Sequence, residues 1–169
     1  PLLCGIYPYF RKKAMEASPG ILPKRCLAHI LGDIGYKTAF FQPAYSFENR
    51  RELVTNMGFD VYKGVKELPQ KGFESTIYFG AEDKIMVGPS MDWVESVEEE
   101  PFFLTYLTLA THHNYMTPQS FPYVDFGKSD KDLNNYMNAV RYVDDFIREV
   151  FEEFEKRDLI DNTIFIIAG

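Results

Sequence analysis

A chain of 169 residues with 46% hydrophobic and 16% aromatic composition is long enough to bury one substantial core and too apolar to remain unfolded. Its formal charge of −7, with acidic residues spread along the length, offers no basic stripe to a phosphate backbone and excludes nucleic acid as a partner class. No apolar run approaches the roughly 20 residues that span a bilayer, which leaves any membrane anchor or export signal to segments upstream of Pro1.

Leu2 to Pro8 starts in mid-element, with Gly5 and Pro8 as breakers and no capping signal, as a cut chain would. Pro19-Gly20 and Pro23 mark a loop. The helical spacing of Leu27, Ile30, Leu31 and Ile34, stopped by Gly35, then predicts a helix over about Lys24 to Ile34. Thr38-Ala39-Phe40-Phe41 reads as a parallel strand buried on both faces. Asn49 to Asn56 reads as a short helix with Leu53, Val54 and Met57 inward and Gly58 as its stop, followed by extended Phe59-Asp60-Val61-Tyr62. Between Gly64 and Phe79 only Ser75 to Phe79 has strand content. Met91, Val94 and Val97 predict a helix over Asp83 to Glu99, delayed or kinked by Gly88-Pro89 and ended by Glu98-Glu99-Glu100 before Pro101.

Phe102 to Leu109 carries the strongest strand signal and is expected at the centre of the sheet, ending at Ala110-Thr111-His112-His113. A long helix follows from about Asp130 to Arg157. Its expected core stripe is Leu133, Met137, Val140, Ile147, Phe151 and Phe154, and its expected start is a capping-box-like Ser129 with Asp132. Asp161-Asn162 turns it into a last buried strand, Thr163 to Ala168, whose carboxyl end should face a ligand crevice just where the chain stops. Alternating helices and strands predict a layered α/β/α fold with a largely parallel sheet.

Position singles out the candidate functional residues. His112 and His113 sit past the carboxyl end of a strand, where open sheets make ligand contacts, although a loop His pair also serves as an ordinary hydrogen-bonded pair. A zinc site from this pair alone is improbable, because neighbours in an extended segment diverge. Asn49 and Arg50 open the helix after a strand. A guanidinium there suits a sulfate, phosphate or carboxylate, and a salt bridge with Glu48 or Glu52 is the structural alternative. Asp144 falls on the apolar stripe of the long helix, where it must accept hydrogen bonds from a loop or reach water. Cys4 has no local base and, like Cys26, no partner spacing for a zinc site. It reads as a small buried thiol, and two cysteines are too few for a disulfide scaffold.

Leu3-Cys4-Gly5-Ile6-Tyr7-Pro8, Gly35 to Phe41, Phe47-Glu48-Asn49-Arg50, Pro101 to Leu104 with Thr111-His112-His113-Asn114-Tyr115, and Tyr142 to Asp145 with Asp161-Asn162-Thr163 resemble, in order, the sulfatase family. The resemblance is to its lipoteichoic acid synthase-like branch, within the alkaline phosphatase superfamily. It implies an alkaline phosphatase-like domain over residues 1–169, truncated at both ends, from an enzyme that hydrolyses or transfers sulfate or phosphate esters. It also implies a divalent metal ion (calcium, manganese or magnesium) in the parent protein. Nucleophile and metal ligands would lie outside this piece, so it holds no catalytic residue and no complete metal site, and is expected to be inactive alone. The same resemblance implies that Arg50 and His112, with Asn49 and His113 beside them, contact the anionic substrate. An extracytoplasmic or membrane-anchored location, through segments outside the chain, is implied too. Phe41 and Glu48 stand where the branch has His and Trp, which weakens the case for glycerol phosphate transfer. A non-catalytic pseudoenzyme or binding module of the same fold is the alternative.

Overall fold

The unbroken run Thr38-Ala39-Phe40-Phe41 builds β1 (Lys37–Phe41), and all four of these side chains are buried. A strand covered on both faces has no need of polar alternation, so the sequence is apolar throughout. The computed structural model describes residues 2–5, 25–45, 49–76, 78–97 and 101–169, which fall into two units, Pro1–Leu109 and Ala110–Gly169.

In the first unit, β1 lies between β2 (Val61–Lys63) and β3 (Phe102–Tyr106) in a parallel sheet of order β2-β1-β3. Ala39 is the registration point, paired with Val61 on one side and Leu104 on the other. The central strand is therefore β1, and the Phe102 run, expected at the centre, forms the flanking strand whose residues are each only partly buried. Parallel neighbours require a crossover, and α2 (Arg50–Asn56) supplies the one between β1 and β2. Thr38 fastens this unit. Its hydroxyl accepts from the Asp60 amide at 2.9 Å, and its own amide donates to Asp60 Oδ2 at 3.0 Å. Phe40, Val54, Phe59, Tyr62 and Ala28 form the core over one sheet face, with Leu3, Met57 and Phe103 packed against them. Each buried aromatic contributes roughly 2–3 kcal/mol of transfer free energy there.

Several expectations for this unit change. α1 (Leu27–Gly32) is only six residues long and buries Ala28, while Ile30 and Ile34 are exposed, so the apolar face predicted for it is not the face it buries. The described residues of Ser75 to Phe79 form no strand, and the local pairing is a single antiparallel bridge from Ala44 to Gly80. The Asp83 helix begins as a 3-10 turn, Asp83–Met86, and becomes α3 (Val87–Ser96). Pro89 falls in the first turn of α3, where its missing N–H breaks no helical bond. The Pro19-Gly20-Pro23 loop and Glu98 to Glu100 lie outside the described residues. Cys4 is not a thiol, because it forms a disulfide with Cys26.

The second unit is dominated by α4 (Lys131–Glu155), capped by Asp130, whose carboxylate accepts from the amides of Asp132 and Leu133 in place of the expected Ser129 cap. Its buried stripe is Asn134, Asn138, Ala139, Tyr142, Phe146, Val150 and Phe154. Leu133 and Val140, expected in the core, are 44% and 45% exposed. The stripe turns because two asparagines take buried positions by bonding a neighbouring loop. Asp144 is exposed to water, which removes any desolvation cost. Thr163 to Gly169 is not the expected buried strand. It pairs with no strand of the sheet, and Ile164, Ile166 and Ile167 are exposed, while Phe165 stacks on Phe151 at 4.2 Å. No helix among the described residues is long and apolar enough to cross a membrane.

Candidate functional site

The exit from β1 runs through Gln42, Pro43 and Ala44 toward α2. Asn49 precedes the helix with φ 58° and ψ 34°, a left-handed turn that asparagine adopts more readily than most residues. Arg50 follows, exposed. Among the described residues it makes no ion pair, and the alternative partner Glu52 is not engaged with it; Glu48 lies outside the described residues. Arg51, beside it, is held. Its guanidinium pairs with Glu67, donates to the Tyr62 carbonyl at 3.4 Å, and lies 4.9 Å from the centre of the Tyr62 ring. Both arginines are exposed and they differ in use, Arg51 paired with Glu67 and Arg50 without an ion pair among the described residues.

The exit from β3 is pinned within the first unit. Leu107 N donates to Phe41 O at 3.0 Å, and Leu109 N donates to Oδ1 of the fully buried Asp83 at 2.6 Å. In the second unit the chain resumes at Ala110, buried with Ala139 and Tyr142 of α4, and Tyr115 and Phe121 pack against that cluster. Tyr115 N donates to His112 O at 2.8 Å, which closes the loop carrying both histidines.

Within that loop His112 Nδ1 lies 2.8 Å from the His113 carbonyl oxygen. A carbonyl only accepts, so Nδ1 carries a proton. His113 is exposed as well, but its ring stands edge-on to Tyr115 at 5.8 Å, and Tyr115 stands edge-on to Tyr136 at 5.3 Å. The loop is braced by aromatic packing while His112 keeps a defined tautomer.

Asn49 and Arg50 are therefore adjacent at the start of α2 in the first unit, and His112 and His113 adjacent in the loop that opens the second. Among the described residues no group of three or more His, Cys, Asp or Glu side chains gathers to hold a metal ion.

Three further residues escaped the sequence reading. Asp83 carried no signal between Glu82 and Lys84. Asn134 and Asn138, at helical spacing of four, could have been noticed as a polar pair on one helix face. Asn138 accepts from Val124 N at 2.9 Å and donates to Val124 O at 2.8 Å, and Asn134 accepts from Phe126 N at 2.8 Å, so both latch the 122–126 loop to α4. Arg141 completes the latch, donating to Pro122 O at 3.0 Å with its guanidinium 5.2 Å from the Phe121 ring.

The family profile described as Sulfatase matches residues 2–169. The chain is similar to lipoteichoic acid synthase 2 of Bacillus subtilis, 30% identical over 149 residues that cover 83% of this chain and 22% of that protein. It is likewise similar to the lipoteichoic acid synthase of Staphylococcus aureus, 23% identical and covering 80% of this chain and 21% of that protein. The chain thus spans about a fifth of the length of the curated relatives it matches. Among solved structures it superposes on the lipoteichoic acid synthase LtaP of Listeria monocytogenes with a TM-score of 0.79 and 21% identity, covering 94% of this chain and 39% of that one. An alkaline phosphatase superfamily protein of Vibrio parahaemolyticus gives a TM-score of 0.70 at 24% identity, covering 92% and 37%. Both share its α/β fold. The chain belongs to the sulfatase family and is similar in sequence to lipoteichoic acid synthases.

Proposed function

We propose that this chain supplies the anion-contacting part of a catalytic domain acting on sulfate or phosphate esters, with both units belonging to that one domain. Arg50 and His112 are the contacts, and Asn49 and His113 flank them. The observation that carries this reading is the contrast between two exposed neighbours: Arg51 is paired with Glu67 and lies over Tyr62, while Arg50 makes no ion pair among the described residues. An exposed guanidinium presents paired N–H donors matched to two oxygens of a tetrahedral anion. His112, whose Nδ1 is bonded to the His113 carbonyl, is the second contact to the anion in this reading.

The family carries out displacement at sulfur or phosphorus with a side-chain nucleophile. In this reading no described residue takes that role, and the 169-residue chain alone shows no turnover. Phe41 is fully buried on β1 and offers no donor to an ester, which supports a substrate other than glycerol phosphate. An extracytoplasmic setting belongs to the same proposal, and the Cys4–Cys26 disulfide supports it, because such bonds persist where thiols are not kept reduced.

The test uses the full-length protein that contains this chain. Arg50→Ala and His112→Ala should each lower turnover of an aryl sulfate or an aryl phosphate diester by about 10²-fold or more. Arg51→Ala should leave turnover near wild type and lower thermal stability instead. Assaying both esters side by side assigns the anion. Wild-type turnover in both the Arg50 and His112 variants would refute the proposal.

A further inference from the structure

We propose that the Cys4–Cys26 disulfide is a redox-sensitive tether that seats α1 against α2, so that its oxidation state sets how firmly the helix bearing Arg50 is held. α1 has too little of its own to stay in place. Six residues form a marginal helix, and α1 buries only Ala28 while Ile30 and Ile34 are 48% and 67% exposed. The Arg25–Asp33 ion pair across it is solvent-exposed at both ends and adds little.

The covalent bond sits where holding is needed. Cys26 is the residue that caps α1, is fully buried, and has its sulfur bonded to Cys4. Next to the bond Leu27 N donates to Leu3 O at 2.6 Å, and Leu3 packs on the cluster of Ala28, Phe40, Val54, Phe59 and Tyr62. Val54 belongs to α2. Gly58, just after α2, approaches α1 so closely that a Cβ there would lie 2.6 Å from His29 Cγ and 2.7 Å from His29 N. The disulfide thus holds α1, and α1 meets α2 through the cluster shared by Ala28 and Val54 and through the approach of Gly58 to His29.

Reduction by a dithiol reagent proceeds by two exchanges. A reagent thiolate attacks one cysteine sulfur, expelling the other cysteine as a thiolate and forming a mixed disulfide, and the second reagent thiol then displaces the cysteine held in that mixed disulfide. Two electrons and two protons pass to Cys4 and Cys26, and the reagent closes into its own disulfide. Both thiols are then free to separate, and the chain loses the closure across 22 residues that constrained its unfolded state.

The test is amide hydrogen exchange with thiol titration on the whole 169-residue chain, before and after treatment with dithiothreitol, alongside the double variant Cys4→Ser, Cys26→Ser. The chain has two cysteines, so titration should find no thiol before reduction and two after it. Exchange in α1 and α2 should rise at least tenfold on reduction and the Tm should fall by roughly 10 °C, with α4 unchanged. The double variant should match the reduced protein and ignore dithiothreitol. Where that variant does not fold, reduction of the wild-type chain still decides. Two titratable thiols in the air-oxidised chain, or unchanged exchange in α1 and α2 after complete reduction, would overturn the proposal. Neither readout involves an ester, so failure here is distinct from failure of the anion-contact reading, on which only the consequence for Arg50 rests.

Discussion

At the scale of single residues, backbone space and buried hydroxyls decide more than charge. Gly58 has φ +92°, and its Cβ position is filled by His29, so only glycine meets both demands. Gly58→Ala should cost about 2–3 kcal/mol, read as a lowered urea midpoint with unchanged slope. Tyr106 illustrates a buried hydroxyl. Desolvation of its phenol, opposed by the smaller effect of its hydrogen bond with Ser90, holds its pKa well above the usual tyrosine value. The sign follows from proton binding. The unfolded chain loses this proton near about pH 10. The folded chain keeps it, so stability is level below that pH and falls as pH rises beyond it. Tyr106→Phe should cost about 1 kcal/mol at pH 7 through the lost hydrogen bond. It should also flatten the alkaline decline by up to about 1.4 kcal/mol per pH unit, measured by denaturant titration between pH 8 and 11. A decline of equal steepness in the variant would assign the alkaline loss to other groups.

At the scale of elements, α4 shows why hydrophobic spacing misplaced a buried face. Leu133 and Val140 suggested the stripe, yet Asn134 and Asn138 occupy the buried positions because each turns its amide onto a loop backbone that needs partners. A polar residue whose hydrogen bonds are complete is invisible to a pattern that counts apolar side chains. Asn138→Ala removes an acceptor and a donor for Val124, and should cost about 1–2 kcal/mol. The loss should be local, with faster exchange of the Val124 and Phe126 amides while the α4 amides keep their protection. Uniform loss of protection along α4 would instead make Asn138 a global support of the unit. The carboxyl end of α4 follows another rule. Glu153 is hydrogen-bonded by Lys156 and Arg157, in that order of effect, which lowers its pKa, and this stabilisation is present at neutral pH and lost as pH falls into the carboxylate range. Exposed partners keep its size small.

At the scale of the whole molecule, what was legible in the sequence depended on whether a signal was local. β1 was legible because burial on both faces writes a continuous apolar run, and α2 because Asn49 and Gly58 bracket it with left-handed turns. The Asn49-Arg50 and His112-His113 pairs were legible by position, after a strand in each case. Which arginine is paired was not legible, since it depends on Glu67 and Tyr62, far away in sequence. Neither was the disulfide, because two cysteines without a motif say nothing of distance. Thr163 to Ala168 was misread for a related reason. An apolar run becomes a strand only with a partner strand, and this one leaves Ile164, Ile166 and Ile167 89%, 67% and 67% exposed, with Phe165 turned to Phe151 and Phe154. A run rich in β-branched residues, without charge or proline and with unpaired backbone, is a template for pairing with another copy, and only the net charge of −7 opposes it. The sequence pI is near 5.0, so repulsion fades as pH approaches that value. The 169-residue chain should therefore associate at pH 5 and less at pH 8, as followed by light scattering. Ile164→Lys with Ile166→Lys should suppress association at both pH values while leaving Phe165 packed and the Tm within a few degrees of wild type. Equal scattering from wild type and variant at pH 5 would place the sticky surface elsewhere.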